Sequence, residues 1–229
     1  MHPRVRAPGD RPPAAAPTRR RARRVLTLAP RRQRSHGDPH AAAASITDPP
    51  VVTVRDGSGP APGTYLDLGA AGLGAESFTI SHWYSTTHAR PGTLGDVIGN
   101  RQAASHGNFI SVRINGDGVL AFEVDEDDAG TRYTAVDSGS RRVNDGRWHL
   151  LTYTRRGGEL AIYIDGEQVA RAGSPTQPAA QLRDETPLRI GRSLPPCCAN
   201  FVAVPGAYAD VRILVGQAQG PALAAKPTF

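Results

Sequence analysis

The chain is poor in cysteine, nearly devoid of lysine and short of aromatic rings. Two cysteines in 229 residues exclude a disulfide-rich scaffold and a four-cysteine zinc centre. No run approaches the ~18 consecutive apolar residues that a membrane-spanning helix needs, so no helical membrane span is expected. No segment keeps a 3.6-residue apolar period, and the Ala-rich stretch Ala41 to Ala44 is too short to stand as a helix alone. Two Trp, six Tyr and five Phe are few for an extended glycan cleft. There is no Ser-His-Asp nucleophile signature. The glycine-rich stretch Gly69 to Gly74 follows no βαβ pattern and reads as a loop, not a phosphate cradle.

Glycine and proline are abundant. The 25 glycines and 20 prolines suit many short strands joined by turns. The net charge of +6 divides unevenly. Residues 1–40 hold eleven arginines against Asp10 and Asp38, a balance of +9, which leaves −3 for the rest of the chain. A nucleic-acid-binding body would be the basic part, so no nucleic acid is expected as partner of the folded domain. Residues 1–45 are rich in Arg, Pro and Ala, cannot bury enough apolar surface to offset the entropy of ordering, and are expected to be a disordered tail. The apolar stretch after Arg24, Val25 to Ala29, is shorter than the ~7–15 residues of a secretory core, so it makes no convincing signal peptide.

From Ile46 the texture changes. Short β-rich runs recur at roughly 8–12-residue spacing, about a dozen in all, which is the pattern of a sandwich or barrel. In Ser77 to Tyr84 alternation places Phe78, Ile80, His82 and Tyr84 on one face and Thr79, Ser81 and Trp83 on the other. Asn115-Gly116-Asp117-Gly118 and Asp165-Gly166 carry the Asn-Gly and Asp-Gly steps of tight hairpins. Leu160, Ile162 and Ile164 alternate inward. The expected fold is all-β: a jelly-roll β-sandwich of two antiparallel sheets over residues 46–216, followed by a C-terminal tail, 217–229.

Three segments carry a resemblance. They are Ser77 to Trp83; Asp145-Gly146-Arg147-Trp148-His149, continuing through Leu160 to Gly166; and Leu188-Arg189-Ile190-Gly191, followed by Asp210 to Ile213. In order and spacing they resemble the concanavalin A-like lectin/glucanase superfamily, and within it the laminin G-like and pentraxin-like modules. The resemblance implies core positions for Trp83 and Trp148 and a structural, hydrogen-bonded His149. It also implies an extracellular or cell-surface setting, with carbohydrate or a glycoprotein as partner.

The acidic run Glu123-Val124-Asp125-Glu126-Asp127-Asp128 has two sharp readings. Laminarinase-type glucanases of this superfamily place two glutamates on a strand as E-x-D-x-x-E, and a retaining glycosidase needs two carboxyls ~5–5.5 Å apart. Here Glu123 and Asp125 match, but Asp128 or Asp127 replaces the final glutamate and is one methylene short. The resemblance to laminin G-like modules implies instead calcium, held by Asp125, Asp127, Asp128 and the more distant Asp184. The pentraxin pattern would require acids after Gly191, and Arg192 to Val204 has none. Five acids in six residues repel one another unless a cation or arginines stand nearby. For a bound ligand, the polar loop Asn100, Arg101, Gln102, Ser105, His106 and Asn108 offers the richest set of hydrogen-bonding side chains. The adjacent Cys197 and Cys198 are two thiols, a strained vicinal disulfide or a link to another chain. The expected function is non-catalytic binding through rim loops. The alternatives are a glucanase-like hydrolase with Glu123 and Asp128, and a purely structural module of a surface protein.

Overall fold

The structure is a computed structural model. It describes residues 65–102, 105–191 and 204–220, together with the backbone of three short strands at 24–27, 51–54 and 201–202. Among the described residues there are fourteen strands and no helix. They are β1 (Arg24–Thr27), β2 (Val51–Val54), β3 (Leu66–Gly69), β4 (Phe78–Ser85), β5 (Leu94–Gly99), β6 (Phe109–Asn115) and β7 (Val119–Asp125). The remainder are β8 (Thr134–Arg142), β9 (His149–Arg156), β10 (Glu159–Ile164), β11 (Glu167–Ala172), β12 (Leu188–Ile190), β13 (Phe201–Val202) and β14 (Gly206–Val215).

The first sheet runs β1-β14-β4-β9-β10-β11, with β2 also on β14; the second runs β3-β12-β5-β6-β7-β8, with β13 on β5. Every pairing is antiparallel except the two-residue contact of β13 with β5. This is the expected sandwich. Both marked hairpins form where the turn chemistry placed them, joining β6 to β7 and β10 to β11. One difference lies at the N-terminus. Arg24–Thr27 forms an edge strand on β14, inside the stretch expected to lack structure, because its Val-Leu-Thr run suits the open edge of a sheet. The rest of residues 1–50, and Cys197 and Cys198, lie outside the described residues.

Alternation builds the core. Phe78, Ile80 and Tyr84 of β4, Leu151 and Tyr153 of β9, and Leu160, Ile162 and Ile164 of β10 face Ile110, Val112 and Ile114 of β6 and Leu120, Phe122 and Val124 of β7. Each such side chain contributes about 1.5–3 kcal/mol through burial. His82 sits among them, wholly buried, with Tyr153 and Tyr208 ring centroids at 5.8 and 5.6 Å. Burial drives its pKa down to about 4, against the opposing pull of the Trp83 carbonyl. His82 is therefore neutral at physiological pH.

Trp83 and Trp148 are not part of this core. They lie on the outer face of the first sheet, in a separate small cluster with Leu150, Ala207 and Ala209. Odd–even alternation on β4 explains it: with His82 and Tyr84 inward, Trp83 must point out. The chain after β14 crosses the same face. Thr79 Oγ1 donates to the Gln217 carbonyl at 3.0 Å and accepts from the Gln219 N–H at 2.8 Å. The first residues of the C-terminal tail are thus docked.

Candidate functional site

Outward positions of β6, β7 and β8 build a charged surface on the second sheet. Glu123 is 3% exposed, and its two oxygens accept from the Arg101 and Arg113 guanidinium groups. Arg101 also donates to the Ser105 carbonyl at 3.0 Å and lies 4.4 Å above the Phe109 ring. A buried carboxylate held by two guanidinium groups is compensated charge, and removing Glu123 takes the shared carboxylate from both arginines at once. The expected crowding of acids is relieved by arginines from β6 and the loop before it.

Two residues along β7, Asp125 is fully buried. Its Oδ2 lies 2.7 Å from His106 Nδ1 and accepts from the Gly107 N–H at 3.3 Å, while Oδ1 accepts from the Glu126 N–H at 2.9 Å. The His106 side chain is 43% exposed. Fixed through Nδ1, the ring directs Nε2 away from its carboxylate anchor, as a positioned donor or acceptor. Gly130 makes room for it. A Cβ there would stand 2.5 Å from the imidazole, and φ is +66°, a conformation that glycine adopts without strain.

The ring of Tyr133 meets His106 edge to face, 5.1 Å between centroids. At 39% exposure Tyr133 is the exposed large hydrophobic side chain of the described residues. Burial raises its pKa, and the Glu123 carboxylate beside it raises it further. Its hydroxyl is thus kept protonated, with a carboxylate to receive it.

Next to Tyr133 the two sheets part at one end of the sandwich. A cleft of about 250 Å³ opens there, with Val124, Leu160 and Ala180 at its floor and Thr131, Thr134 and Gln177 at its mouth. Arg155 lies beneath, buried against Phe78 with 4.7 Å from guanidinium to ring centroid, and donates to the carbonyls of Leu73, Gly74, Glu76 and Ala180.

The expected ligand loop is split by the fold. Asn100 is buried: its Oδ1 accepts from the Ile110 N–H at 2.9 Å and its amide donates to the Thr186 carbonyl. Asn108 clips loops together, donating to the Glu126 and Gln181 carbonyls and accepting from the Arg183 N–H. Arg101 faces Glu123. Gln102, Ser105 and His106 keep access to solvent. Tyr133 and the cleft were missed by sequence reasoning. A tyrosine in the polar run Thr131 to Thr134 gives no local sign that a histidine 27 positions earlier will frame it.

The four aspartates expected to hold calcium do not converge. Asp125 is engaged as described. Asp127 Oδ1 accepts from the N–H groups of Ala129 and Thr131, both at 3.0 Å, and the Thr131 N–H leads in pulling its pKa down. Asp128 is exposed, and Asp184 accepts from the Gly72 N–H on another loop. Among the described residues no three His, Cys, Asp or Glu side chains group to hold a metal ion. The residues present do not fit the ion through their carboxylates.

The Trp-His motif forms a staple at the start of β9. His149 is buried, with Nδ1 2.7 Å from Asp165 and Nε2 3.0 Å from Asp145. Asp165 also accepts from the Leu150 N–H and sits at φ +53°, a left-handed conformation that aspartate adopts more readily than most residues. Burial raises the Asp145 pKa, but the Arg147 and His149 donors outweigh it and bring it to about 2. His149 is the structural histidine that was expected.

The chain belongs to the concanavalin A-like lectin/glucanases superfamily, whose laminin G family model matches residues 58–217. No curated protein matches it in sequence. Among solved structures it is similar to domains LG4-5 of the mouse laminin α1 chain, at 21% identity and TM-score 0.52, covering 74% of this chain and 41% of that one. The chain thus spans about two fifths of the laminin fragment. It is also similar to the heptameric SAP-like pentraxin of Limulus polyphemus, at 13% identity and TM-score 0.51, covering 71% and 75%. A third similar structure is the CBM40 module of Ruminococcus gnavus IT-sialidase bound to α2,3-sialyllactose, at 14% identity and TM-score 0.53, covering 74% and 90%. Likeness at this identity speaks for the fold.

Proposed function

We propose that this domain is a non-catalytic module that binds carbohydrate, free or on a glycoprotein, outside the cell or at its surface. The observation that carries the reading is the exposed Tyr133 ring framed by His106, which Asp125 holds in one orientation. A sugar has an apolar face that stacks on an aromatic ring and hydroxyls that need directed hydrogen bonds. Both demands meet within one patch. That a structurally similar module holds a sialylated trisaccharide supports the reading.

The carboxylates favour binding over hydrolysis. A retaining glycosidase needs two carboxyls facing the substrate. Glu123 is instead buried under two guanidinium groups, and Asp128 lies beyond the end of β7. The test is an immobilised-glycan array run beside a reducing-end release assay on the glycans that bind. Retention without release is expected. Release that vanishes in Glu123→Gln would make the protein a hydrolase and overturn the proposal.

A further inference from the structure

The cleft beyond Tyr133 has chemistry of its own. Its floor, Val124, Leu160 and Ala180, is apolar and almost wholly buried. The charges near it are engaged elsewhere. Arg155 directs its donors to four main-chain carbonyls. Arg132, at the mouth, is paired with Glu126 at 3.2 Å and donates to the Ala179 carbonyl at 3.1 Å. An anionic substituent placed in the cleft would lose its hydration and gain no dedicated counter-charge. The Thr134 hydroxyl donates to the Gly158 carbonyl at 3.5 Å and the Thr131 hydroxyl bonds Asp127, so both oxygens keep acceptor capacity for a ligand N–H, and the Gln177 amide at the mouth can donate to a ligand carbonyl. A small neutral group with an apolar end and an amide neck satisfies both levels.

We infer that the cleft is a subsite for the acetamido group of an N-acetylated sugar whose ring lies against Tyr133. This rests on the carbohydrate reading above. The methyl fills the apolar floor, the amide reaches the threonine hydroxyls and the Gln177 side chain, and the pyranose face covers the tyrosine. About 250 Å³ is ample for the substituent and leaves room for part of the ring.

The experiment uses matched sugars that differ only at C2: N-acetylglucosamine against glucose, and N-acetylgalactosamine against galactose. Binding of each to the full chain is followed by saturation-transfer NMR and titration. One methyl in an apolar pocket is worth about tenfold or more in affinity. The acetamido member of at least one pair is therefore expected to bind about tenfold tighter, with the acetyl methyl as its most strongly saturated group. Ala180→Val, which fills the floor, should erase the preference. If that variant melts more than a few degrees low, Thr131→Leu at the mouth serves instead. Tyr133→Ala should weaken both members of the pair. Equal binding of the two members, lost in Tyr133→Ala, would overturn the subsite and leave the carbohydrate reading standing. A preference that survives filling of the cleft would also overturn it. Binding of neither pair, with an array that retains no glycan, would remove both.

Discussion

The outer faces of the two sheets are built from opposite materials. On the first, Thr79, Ser81, Trp83, Thr152, Thr154 and Ala161 are buried, and the chain after β14 is docked across Thr79. On the second, β6–β8 and the 100–108 loop bring Arg101, Arg113, Glu123, Asp125 and His106 together and finish in an exposed tyrosine. Both faces hold residues that look functional in isolation. The difference is access. The tryptophans are enclosed or half enclosed, whereas His106 and Tyr133 are held firmly by buried partners and still reach water. On the reading proposed above, ligand contact falls to the outer face of the second sheet, while the outer face of the first is enclosed.

The largest effect that could break this division lies under the second face. Glu123→Ala would leave two guanidinium groups without their carboxylate. It should cost about 3–5 kcal/mol, measured by denaturant unfolding, and a loss below about 1 kcal/mol would mean that the clamp is not formed in solution.

Acid comes next, and it acts from the inner face of the first sheet. His82 is neutral in the fold at about pKa 4 and titrates near 6.5 when unfolded. Its contribution is complete above pH 6.5 and is lost as pH falls toward 4, because the unfolded chain takes up the proton first. The shift amounts to about 3 kcal/mol. Unfolding free energies at pH 7 and pH 4 should differ by this order, and His82→Phe should flatten the slope. Below pH 4 the depressed Asp145 carboxyl adds a further loss as pH falls toward 2. A wild-type curve level from pH 7 to 4 would count against the buried, neutral imidazole.

Trp148 separates the outer cluster from the core. Phe122→Ala should cost about 3–5 kcal/mol as an interior large-to-small change. Trp148→Ala, half-buried on the outer face, should cost about 1–2 kcal/mol. Equal losses would place Trp148 in the main core. Thr79→Val tests the docked chain end: with two hydrogen bonds to residues 217 and 219 removed, a loss of about 1 kcal/mol, or roughly 2–4 °C, is expected. Calcium gives the smallest effect. Melts in millimolar CaCl₂ and in excess chelator should coincide, since Asp125, Asp127 and Asp184 are engaged by N–H groups or His106 and do not group with Asp128. A rise of about 5–10 °C would reveal a site completed by main-chain oxygens.

Much of the fold was legible because it depends on local rules. The alternation of 77–84 and 160–164 set the inner faces, and the Asn-Gly and Asp-Gly steps set two hairpins. The site was legible only in part. His106 and the run Glu123 to Asp128 stand out as polar groups, but their partners come from other strands. Asn100, Arg101 and Asn108 look like ligand-facing loop residues, yet the loop folds back over β6 and β7 and turns them inward. Arg155 looks like a strand-end surface charge and is buried at the bottom of the cleft. Tyr133 carries no mark in its own neighbourhood, because its exposure and its contact with His106 are products of tertiary packing.

The central claim is that recognition belongs to the second sheet, and a crossed comparison tests it most directly. Calorimetric titration of the best array glycan into wild type, Tyr133→Ala and Trp148→Ala gives the affinities, and thermal melts of the same three proteins give the stabilities. Tyr133→Ala should lose at least tenfold in affinity with little change in melting temperature, while Trp148→Ala should melt lower and bind as wild type does. The reverse pattern, with affinity lost in Trp148→Ala and kept in Tyr133→Ala, would place recognition on the first sheet and contradict the account.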